Sequence, residues 1–118
     1  MKTILLVDDS FIARHGIKTL LSGEDYHIVE AQDGREALEL IERLHPQLVL
    51  LDLLMPQPDG LAVLEELQRF PEAPPVIVLS ADIQETTQQR CFELGAVNFM
   101  KKPPRREELI AAIEEQLE

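Results

Sequence analysis

The sequence predicts an α/β domain with a central five-stranded parallel sheet and five helices. Short, continuous apolar runs recur along the chain, and such runs are typical of strands that are buried on both faces of a parallel sheet. The segments between these runs carry apolar residues at helical spacing. Because strands and helices alternate throughout, the expected connections are right-handed crossovers between parallel strands.

The first half of the chain is predicted to form two strands and two helices, over residues 3–7, 10–21, 26–30 and 35–44. The apolar faces of the helices are Ala13, Ile17, Leu20 and Leu21 in the first and Ala37, Leu38, Ile41 and Leu44 in the second. The second strand alternates with polar residues, as an edge strand does. Glycine inside a helix costs about 1 kcal/mol relative to alanine, so we expect Gly16 to pack closely against the sheet. Arg14 is expected to stay solvated.

The second half is predicted to form three strands and three helices, over residues 47–52, 61–70, 76–80, 84–94, 96–100 and 105–117. The aliphatic strand between Pro46 and Pro56 carries one carboxylate, Asp52, which is expected at its carboxyl end. The fourth helix is rich in glutamine and threonine, so we expect packing to anchor it weakly. Gly95 is its expected C-terminal glycine.

Length and composition limit the classes of function. With 118 residues, 45% of them hydrophobic, the chain is expected to be one folded domain over residues 1–118. No apolar run approaches the ~18 residues of a membrane span and no signal peptide is evident, so we expect a cytoplasmic protein without membrane contact. The net charge of −11 argues against direct nucleic-acid binding and fits protein partners better. The single cysteine, Cys91, is predicted to be a buried free thiol.

Three carboxylates follow or end apolar strands. Asp8 and Asp9 come directly after the first strand, and Asp52 ends the third. Ligands bind at the carboxyl ends of parallel strands, and clustered carboxylates repel one another unless a cation lies among them. An all-oxygen cluster suits Mg²⁺ or another hard divalent ion. Simpler interpretations remain open, since Asp9 or Ser10 could cap the next helix and Asp52 could stabilise a turn.

Further polar residues follow the other strands, and together they form a family pattern. The pattern consists of Asp8, Asp9, Asp52, Met55–Pro56, Asp59–Gly60, Ser80–Ala81, Phe99 and Lys102–Pro103. With these residues in this order, the chain resembles the receiver domain of two-component response regulators, the family of the chemotaxis regulator CheY. The resemblance extends from Ile4 to Leu117. It implies a flavodoxin-like, doubly wound sheet with strand order 2-1-3-4-5.

The resemblance assigns Asp52 as the residue that accepts a phosphoryl group. Carboxylates form acyl phosphates when the phosphoryl group is presented in line and its charge is neutralised. Asp9 would bind Mg²⁺ (or Mn²⁺) directly and Asp8 largely through water. The backbone carbonyl of Leu54 would add another oxygen ligand.

Lys102 would pair with Asp52 at rest and with the phosphoryl group once that group is bound. Lys101 is an alternative, but only Lys102 precedes proline as in the family, and alternation along the strand sends the two lysines to opposite sides. The resemblance also implies a cis peptide bond between Lys102 and Pro103. The hydroxyl of Ser80 would donate to the phosphoryl group.

The resemblance further predicts a conformational switch. Phosphorylation would move Ser80, open space beside the small Ala81 and let Phe99 turn inward, which would change the surface of helix four, strand five and helix five. Phe99 could instead be a plain core residue. Leu54 and Asp82 are predicted to tune the lifetime of the phosphoryl group, by shielding it from water and by orienting or repelling that water. We hypothesise slow self-dephosphorylation.

The predicted function is therefore a stand-alone, phospho-accepting signalling switch and not an enzyme. Its partners would be a sensor histidine kinase or histidine phosphotransfer protein and an unknown downstream protein, and it would be a monomer or a phosphorylation-dependent dimer. Phe11, predicted to lie on the exposed side of the first helix, could contact a partner.

Other functions remain open. The chain could be a receiver from a longer multidomain regulator, or a non-phosphorylated pseudo-receiver that acts as a binding module. A Mg²⁺-dependent phosphatase with an aspartate nucleophile commonly has an acid two residues later, where this chain has Leu54. A flavin-binding module is disfavoured because Asp8 and Asp9 would repel the flavin phosphate.

Overall fold

A computed structural model describes residues 1–117 and shows five strands that alternate with five helices. The elements are β1 (Lys2–Val7), α1 (Phe11–Leu20), β2 (Tyr26–Ala31), α2 (Gly34–Leu44), β3 (Leu48–Asp52), α3 (Gly60–Leu67), β4 (Val76–Ser80), α4 (Glu85–Glu93), β5 (Asn98–Lys101) and α5 (Arg106–Leu117). The strands form one parallel sheet in the order β2-β1-β3-β4-β5. The predicted fold and the edge position of β2 are confirmed.

Element boundaries differ from the prediction by more than one residue at two places. Helix α3 ends at Leu67 and turns follow it, because Pro71 disfavours a helical conformation for the residue before it. Strand β5 begins at Asn98, two residues later than predicted. The backbone N–H of Ala96 donates instead to the Cys91 carbonyl at 3.0 Å, at the end of α4.

The sheet separates two apolar layers, and alternation along each strand decides which layer a side chain enters. Leu5 and Val7 of β1 pack with α2, α3 and α4, whereas Ile4 and Leu6 pack with α1 and α5. The same alternation, continued past the strand ends, assigns Asp8, Asp52 and Lys102 to the side of α1 and α5. It assigns Ser80 and Phe99 to the side of α4.

Two packing predictions for the helices are wrong. Gly16 is exposed, and a Cβ atom built on it would meet nothing within 4 Å, because the buried side of α1 passes through Ile17 and Leu21. In α2, Leu44 is 43% exposed. Leu40 is buried in its place because it lies one helical turn before the C-terminal end, beside Ile41.

Local interactions fix the loops that leave the sheet edge. Ser10 and Asp59 cap α1 and α3, since each side chain accepts a hydrogen bond from a backbone N–H three residues later. Gly60 lies against β3, and a Cβ atom on it would come within 2.6 Å of the Asp52 carbonyl oxygen. Only glycine fits there, so the β3–α3 loop stays close to Asp52.

Other predicted features have the following outcomes. Cys91 is a buried free thiol, as predicted. The Lys102–Pro103 peptide bond is cis, as the resemblance implied, and so is the Gln57–Pro58 bond. Among residues 1–117, no helix is long and apolar enough to cross a membrane.

Candidate functional site

Asp8 follows the last residue of β1, and hydrogen bonds hold it from several directions. Its backbone N–H donates to the Ala31 carbonyl at 3.1 Å, which extends the pairing of β1 with β2. Its Oδ1 accepts from the Ser10 backbone N–H at 2.9 Å, and its Oδ2 accepts from the Lys102 Nζ at 2.7 Å. Asp8 is 4% exposed, so these bonds replace the water that its carboxylate loses on burial.

Asp52 is the last residue of β3 and is 5% exposed. The Lys102 Nζ lies 3.5 Å from its Oδ1, and the backbone N–H of Leu54 favours the ionised form of the carboxylate. Burial raises the pKa of Asp52 and the neighbouring charge of Asp8 raises it further, while Lys102 and the Leu54 N–H only partly oppose the rise. An additional cation beside Asp52 would favour its ionised form.

Lys102 joins the two buried carboxylates. Its Nζ is closer to Asp8, at 2.7 Å, than to Asp52, at 3.5 Å, although the sequence predicted Asp52 as its partner. Burial acts to lower the pKa of Lys102, but the hydrogen bond to Asp8 and the charges of Asp52 and Asp8 outweigh it and raise the pKa. Lys102 therefore stays charged. Lys101 is exposed, and alternation directs it to the other side of the sheet.

Asp9 completes an acidic cluster with these residues. One carboxylate oxygen from each of Asp8, Asp9 and Asp52 lies within 4.8 Å of the others. We call these three residues and Lys102 the acidic edge. One ammonium charge opposes three carboxylates, so the oxygen-only donor set fits a hard divalent ion such as Mg²⁺ or Mn²⁺. Leu54, whose carbonyl is the predicted further ligand, lies two residues beyond Asp52 in the loop after β3.

Ser80 ends β4 and is fully buried. It is paired with Lys101 across the sheet, as Val78 is paired with Phe99. Paired residues point to the same side, so Ser80 and Phe99 share the side of the sheet that α4 covers. The Ser80 Oγ accepts a hydrogen bond from the Asp82 backbone N–H at 3.0 Å.

Asp82 connects the loop after β4 to the start of α4. Its carboxylate accepts from the Gln84 backbone N–H at 3.1 Å and from the Thr87 Oγ1 at 3.0 Å. Gln84 itself makes no side-chain capping bond. Asp82 therefore anchors the start of the helix, together with Gln88, whose Nε2 donates to the Ile83 carbonyl at 2.9 Å. Ala81 is exposed beside it. No sequence pattern indicates the contact with Thr87, because that contact requires the loop to fold back.

Phe99 is half-buried in β5 and packs against the apolar layer under α4. It also lines an open groove of about 590 Å³ between β5 and α5. A side chain with apolar contacts on one side and an open groove on the other fits both predicted roles, the switch and the core residue.

Arg14 is the residue whose role sequence reasoning missed. It was predicted to be solvated, but its side chain is 12% exposed. Its Nη1 donates to the backbone carbonyl of Asp8 at 2.7 Å, and its Nε donates to Glu30 Oε1 at 2.9 Å. The pairing of β1 with β2 brings Glu30 into reach, and that contact is not visible in the linear sequence.

Comparison with known proteins identifies the family. The profile of the response regulator receiver domain matches residues 4–114. The chain belongs to this family. Response regulator RR06 of Streptococcus pneumoniae is 44% identical over 100 residues, which cover 85% of this chain and 46% of RR06. This receiver domain thus spans about half the length of the curated relatives it matches.

Solved receiver structures have the same fold. The receiver domain of the Francisella response regulator 1452 superposes with a TM-score of 0.92 at 28% identity, covering 99% of this chain and 97% of that one. The Mn²⁺-bound form of response regulator Rcp1 gives a TM-score of 0.80 at 27% identity, covering 98% and 91%.

Membership in this family indicates the general role of the acidic edge. Receiver domains belong to two-component systems, in which histidine kinases act on them and downstream targets respond, and the family generally consists of switches and not enzymes. Receiver domains bind Mg²⁺ or Mn²⁺ at an acidic aspartate cluster, and Asp8, Asp9 and Asp52 form such a cluster in this chain.

Proposed function

We propose that this receiver domain is a phospho-accepting switch, in which Asp52 takes a phosphoryl group from a histidine kinase or a histidine phosphotransfer protein. The observation that carries the proposal is the acidic edge. It combines a nearly buried carboxylate at the end of β3, two further carboxylates within 4.8 Å and a charged lysine. A turn-stabilising aspartate would need none of these neighbours.

The residues of the acidic edge divide the work of binding a divalent ion. Asp9 is exposed and free to offer a direct oxygen ligand, whereas the Asp8 carboxylate is already bonded to Ser10 and Lys102 and would act largely through water. The Leu54 carbonyl would complete the protein ligands. A bound Mg²⁺ supplies positive charge that neutralises the phosphoryl oxygens.

The transfer itself requires an ionised Asp52. One Asp52 oxygen forms a bond to phosphorus while the bond from phosphorus to the donor imidazole nitrogen breaks, and the electron pair of that bond leaves with the imidazole. Burial opposes ionisation of Asp52, while Lys102 favours it. Lys102 then turns toward the new phosphoryl group, because its Nζ is already within 3.5 Å of Asp52.

The same contacts suggest how phosphorylation of Asp52 would change the surface of the domain. The Ser80 hydroxyl would reorient to donate to the phosphoryl group, which disturbs the bond it accepts from the Asp82 N–H. Asp82 anchors α4 through Thr87, so the start of α4 would shift with it. Space beside Ala81 would let Phe99 turn inward. The surface of α4, β5 and α5 would then change for a downstream protein partner.

Leu54 is proposed to slow the loss of the phosphoryl group. Its side chain is 60% exposed and lies in the loop that follows Asp52, where a bulky apolar group can exclude water from the acyl phosphate. Leu54→Asn is then expected to shorten the half-life of the phosphorylated protein, measured by its decay after the phosphodonor is removed. An unchanged half-life would rule out shielding and leave Asp82 as the remaining tuning candidate.

The central test is phosphorylation by a small donor. Incubation with Mg²⁺ and acetyl phosphate should give a labile one-phosphoryl adduct in intact-protein mass spectrometry. The adduct should be lost in Asp52→Asn and kept in the control Asp25→Asn, which changes an exposed aspartate remote in sequence from the acidic edge. An adduct that persists in Asp52→Asn would refute Asp52 as the acceptor.

The absence of any adduct in the unmodified chain would favour the second candidate function, a pseudo-receiver that binds partners without phosphorylation. The proposal also includes a single domain over residues 1–118, a cytoplasmic location and no direct nucleic-acid binding. The expected oligomeric state is a monomer or a phosphorylation-dependent dimer. The role of Asp52 is the same whether the receiver acts alone or within a longer regulator.

A further inference from the structure

Arg14 forms a bridge between β2 and the carboxyl end of β1. Its Nε donates to Glu30 of β2, and its Nη1 donates to the main-chain carbonyl of Asp8. The planar guanidinium can donate in both directions at once because its N–H groups have a fixed fork geometry. Arg14 belongs to α1, so one side chain joins three neighbouring elements at the acidic edge.

The carbonyl that Arg14 binds has a special position in the chain. It belongs to the peptide group that joins Asp8 to Asp9, the two consecutive carboxylate residues of the proposed ion site. A hydrogen bond of 2.7 Å to this oxygen fixes the plane of that peptide. The plane in turn determines the direction in which the Asp9 side chain leaves the backbone. Among residues 1–117, no side chain or backbone group hydrogen-bonds the exposed Asp9 carboxylate and could serve this purpose instead.

The surroundings of Arg14 keep it in this position. Its side chain is 12% exposed, and its guanidinium carbon lies 5.9 Å from the centroid of the Phe11 ring. Glu30 is held in turn by Lys18, whose Nζ lies 3.0 Å from Oε2. The hydrogen bonds from Lys18 and Arg14 hold the pKa of Glu30 below its ordinary value. Glu30 therefore remains an anionic anchor for Arg14 at neutral pH.

We propose that Arg14 is a positioning residue for the divalent-ion site, acting through the Asp8–Asp9 peptide. This inference rests on the proposed function of the acidic edge but assigns a role to a residue outside it. Groups that orient metal ligands without touching the metal typically change metal affinity by about 10-fold or more when they are removed.

Because Arg14 is positively charged, the direction in which Mg²⁺ affinity changes on its replacement distinguishes positioning from electrostatics. Removal of a positive charge near a cation site should, by Coulomb attraction alone, tighten the binding of Mg²⁺. Loss of positioning should weaken it. Arg14→Met keeps a long apolar stem but removes the donors, so positioning predicts a Kd for Mg²⁺ that rises about 10-fold, whereas a purely electrostatic role predicts a fall.

The experiment is titration calorimetry of the full chain with Mg²⁺ alone, and with Mn²⁺ alone, in the absence of any phosphodonor. Lys18→Met is the matched control, because it removes the other cation on Glu30 but leaves both donors of Arg14, to Glu30 Oε1 and to the Asp8 carbonyl, in place. We expect its Kd to be unchanged or slightly lower. The backbone amide resonance of Asp9, which shares the peptide with the Asp8 carbonyl, should shift in ion-free Arg14→Met and stay in place in Lys18→Met.

Arg14→Lys keeps the test decisive if Arg14→Met does not fold. Lysine retains the positive charge but cannot donate to Asp8 and Glu30 in the fork geometry. If Arg14 acts by positioning, the Kd of Arg14→Lys for Mg²⁺ should therefore rise about as much as that predicted for Arg14→Met. A folded Arg14→Met or Arg14→Lys that binds Mg²⁺ as tightly as the unmodified chain would overturn the inference and leave the proposed function intact. Failure of the unmodified chain to bind Mg²⁺ would instead contradict the proposed function.

Discussion

The acidic edge and helix α4 lie at the same end of the sheet, but they are held in different ways. The Lys102 Nζ lies 2.7 Å from Asp8 and 3.5 Å from Asp52, and both carboxylates are almost fully buried. Among residues Glu85–Glu93 of α4, only Cys91 is buried. The helix begins without a capping bond from Gln84, and the polar contacts of its first turns come from Asp82 and from Gln88.

This difference matches the two tasks of a switch. Groups that perform chemistry need a fixed geometry before the reactant arrives. An element that reports the reaction needs a second arrangement of similar free energy, and weakly packed elements provide it at least cost. The sheet connects the two, since Lys102 donates its backbone N–H to the Ser80 carbonyl at 2.9 Å.

The largest expected effect follows from removing the cation of the acidic edge. Lys102→Met leaves Asp8 and Asp52 without their shared positive charge and removes the donor that would meet the phosphoryl group. We expect phosphorylation by acetyl phosphate to slow about 100-fold, the size seen when one donor to a developing charge is lost. The rate is measured by mass spectrometry under saturating Mg²⁺. Lys101→Met is the control, and equal rates in the two variants would show that Lys102 plays no special part.

A smaller effect should follow from loosening α4. Thr87→Val is nearly the same size but removes the hydroxyl that donates to Asp82, and a hydrogen bond to a charged group contributes about 1.5–3 kcal/mol. We expect the backbone amides at the start of α4 to exchange with solvent faster, by native-state hydrogen exchange, while those of α1 keep their rates. Phosphorylation itself should proceed normally. Slower phosphorylation in Thr87→Val would mean that α4 and the acidic edge do not act as separate regions.

Much of the acidic edge could be predicted from the sequence because it depends on strand ends. The carboxyl ends of parallel strands meet at one edge, so Asp8 and Asp52 were expected at the same edge of the sheet once the strands were identified. Alternation then separated Lys102 from Lys101. The order of the strands came only from the resemblance to receiver domains, since strand spacing alone permits several orders.

The remaining features depend on contacts between elements that a linear pattern does not specify. The role of Arg14 requires Glu30, which the pairing of β1 with β2 brings alongside α1. The preference of Lys102 for Asp8 over Asp52 is a difference of 0.8 Å between its two distances, and no sequence rule resolves it. Gly16 was predicted to pack on the sheet from its type alone, but the rotation of α1 leaves it exposed.

The smallest expected effect is on the pH dependence of stability. It compares Glu30, which bonds Arg14 beside the acidic edge, with an exposed ion pair on α4. The pKa of Glu30 is lowered from 4.5 by the hydrogen bonds from Lys18 and then Arg14. A carboxyl whose pKa is lower in the folded state stabilises the fold fully above its unfolded-state pKa, and this stabilisation is lost as pH falls through the folded-state value. The unmodified chain should therefore be more stable than Glu30→Gln at about pH 7, and the two should converge as the pH falls below 4.5.

Urea unfolding over this pH range measures the convergence. The control is Glu93→Gln in α4, where the ion pair with Arg90 is 3.7 Å long and both side chains are more than half exposed. Exposed pairs of this kind contribute little to stability, so the control should follow the unmodified chain at every pH. A constant difference between Glu30→Gln and the unmodified chain would show that the contacts of Glu30 matter through packing and not through its charge. Convergence would show that an ionised Glu30 holds Arg14, and with it the backbone of the acidic edge.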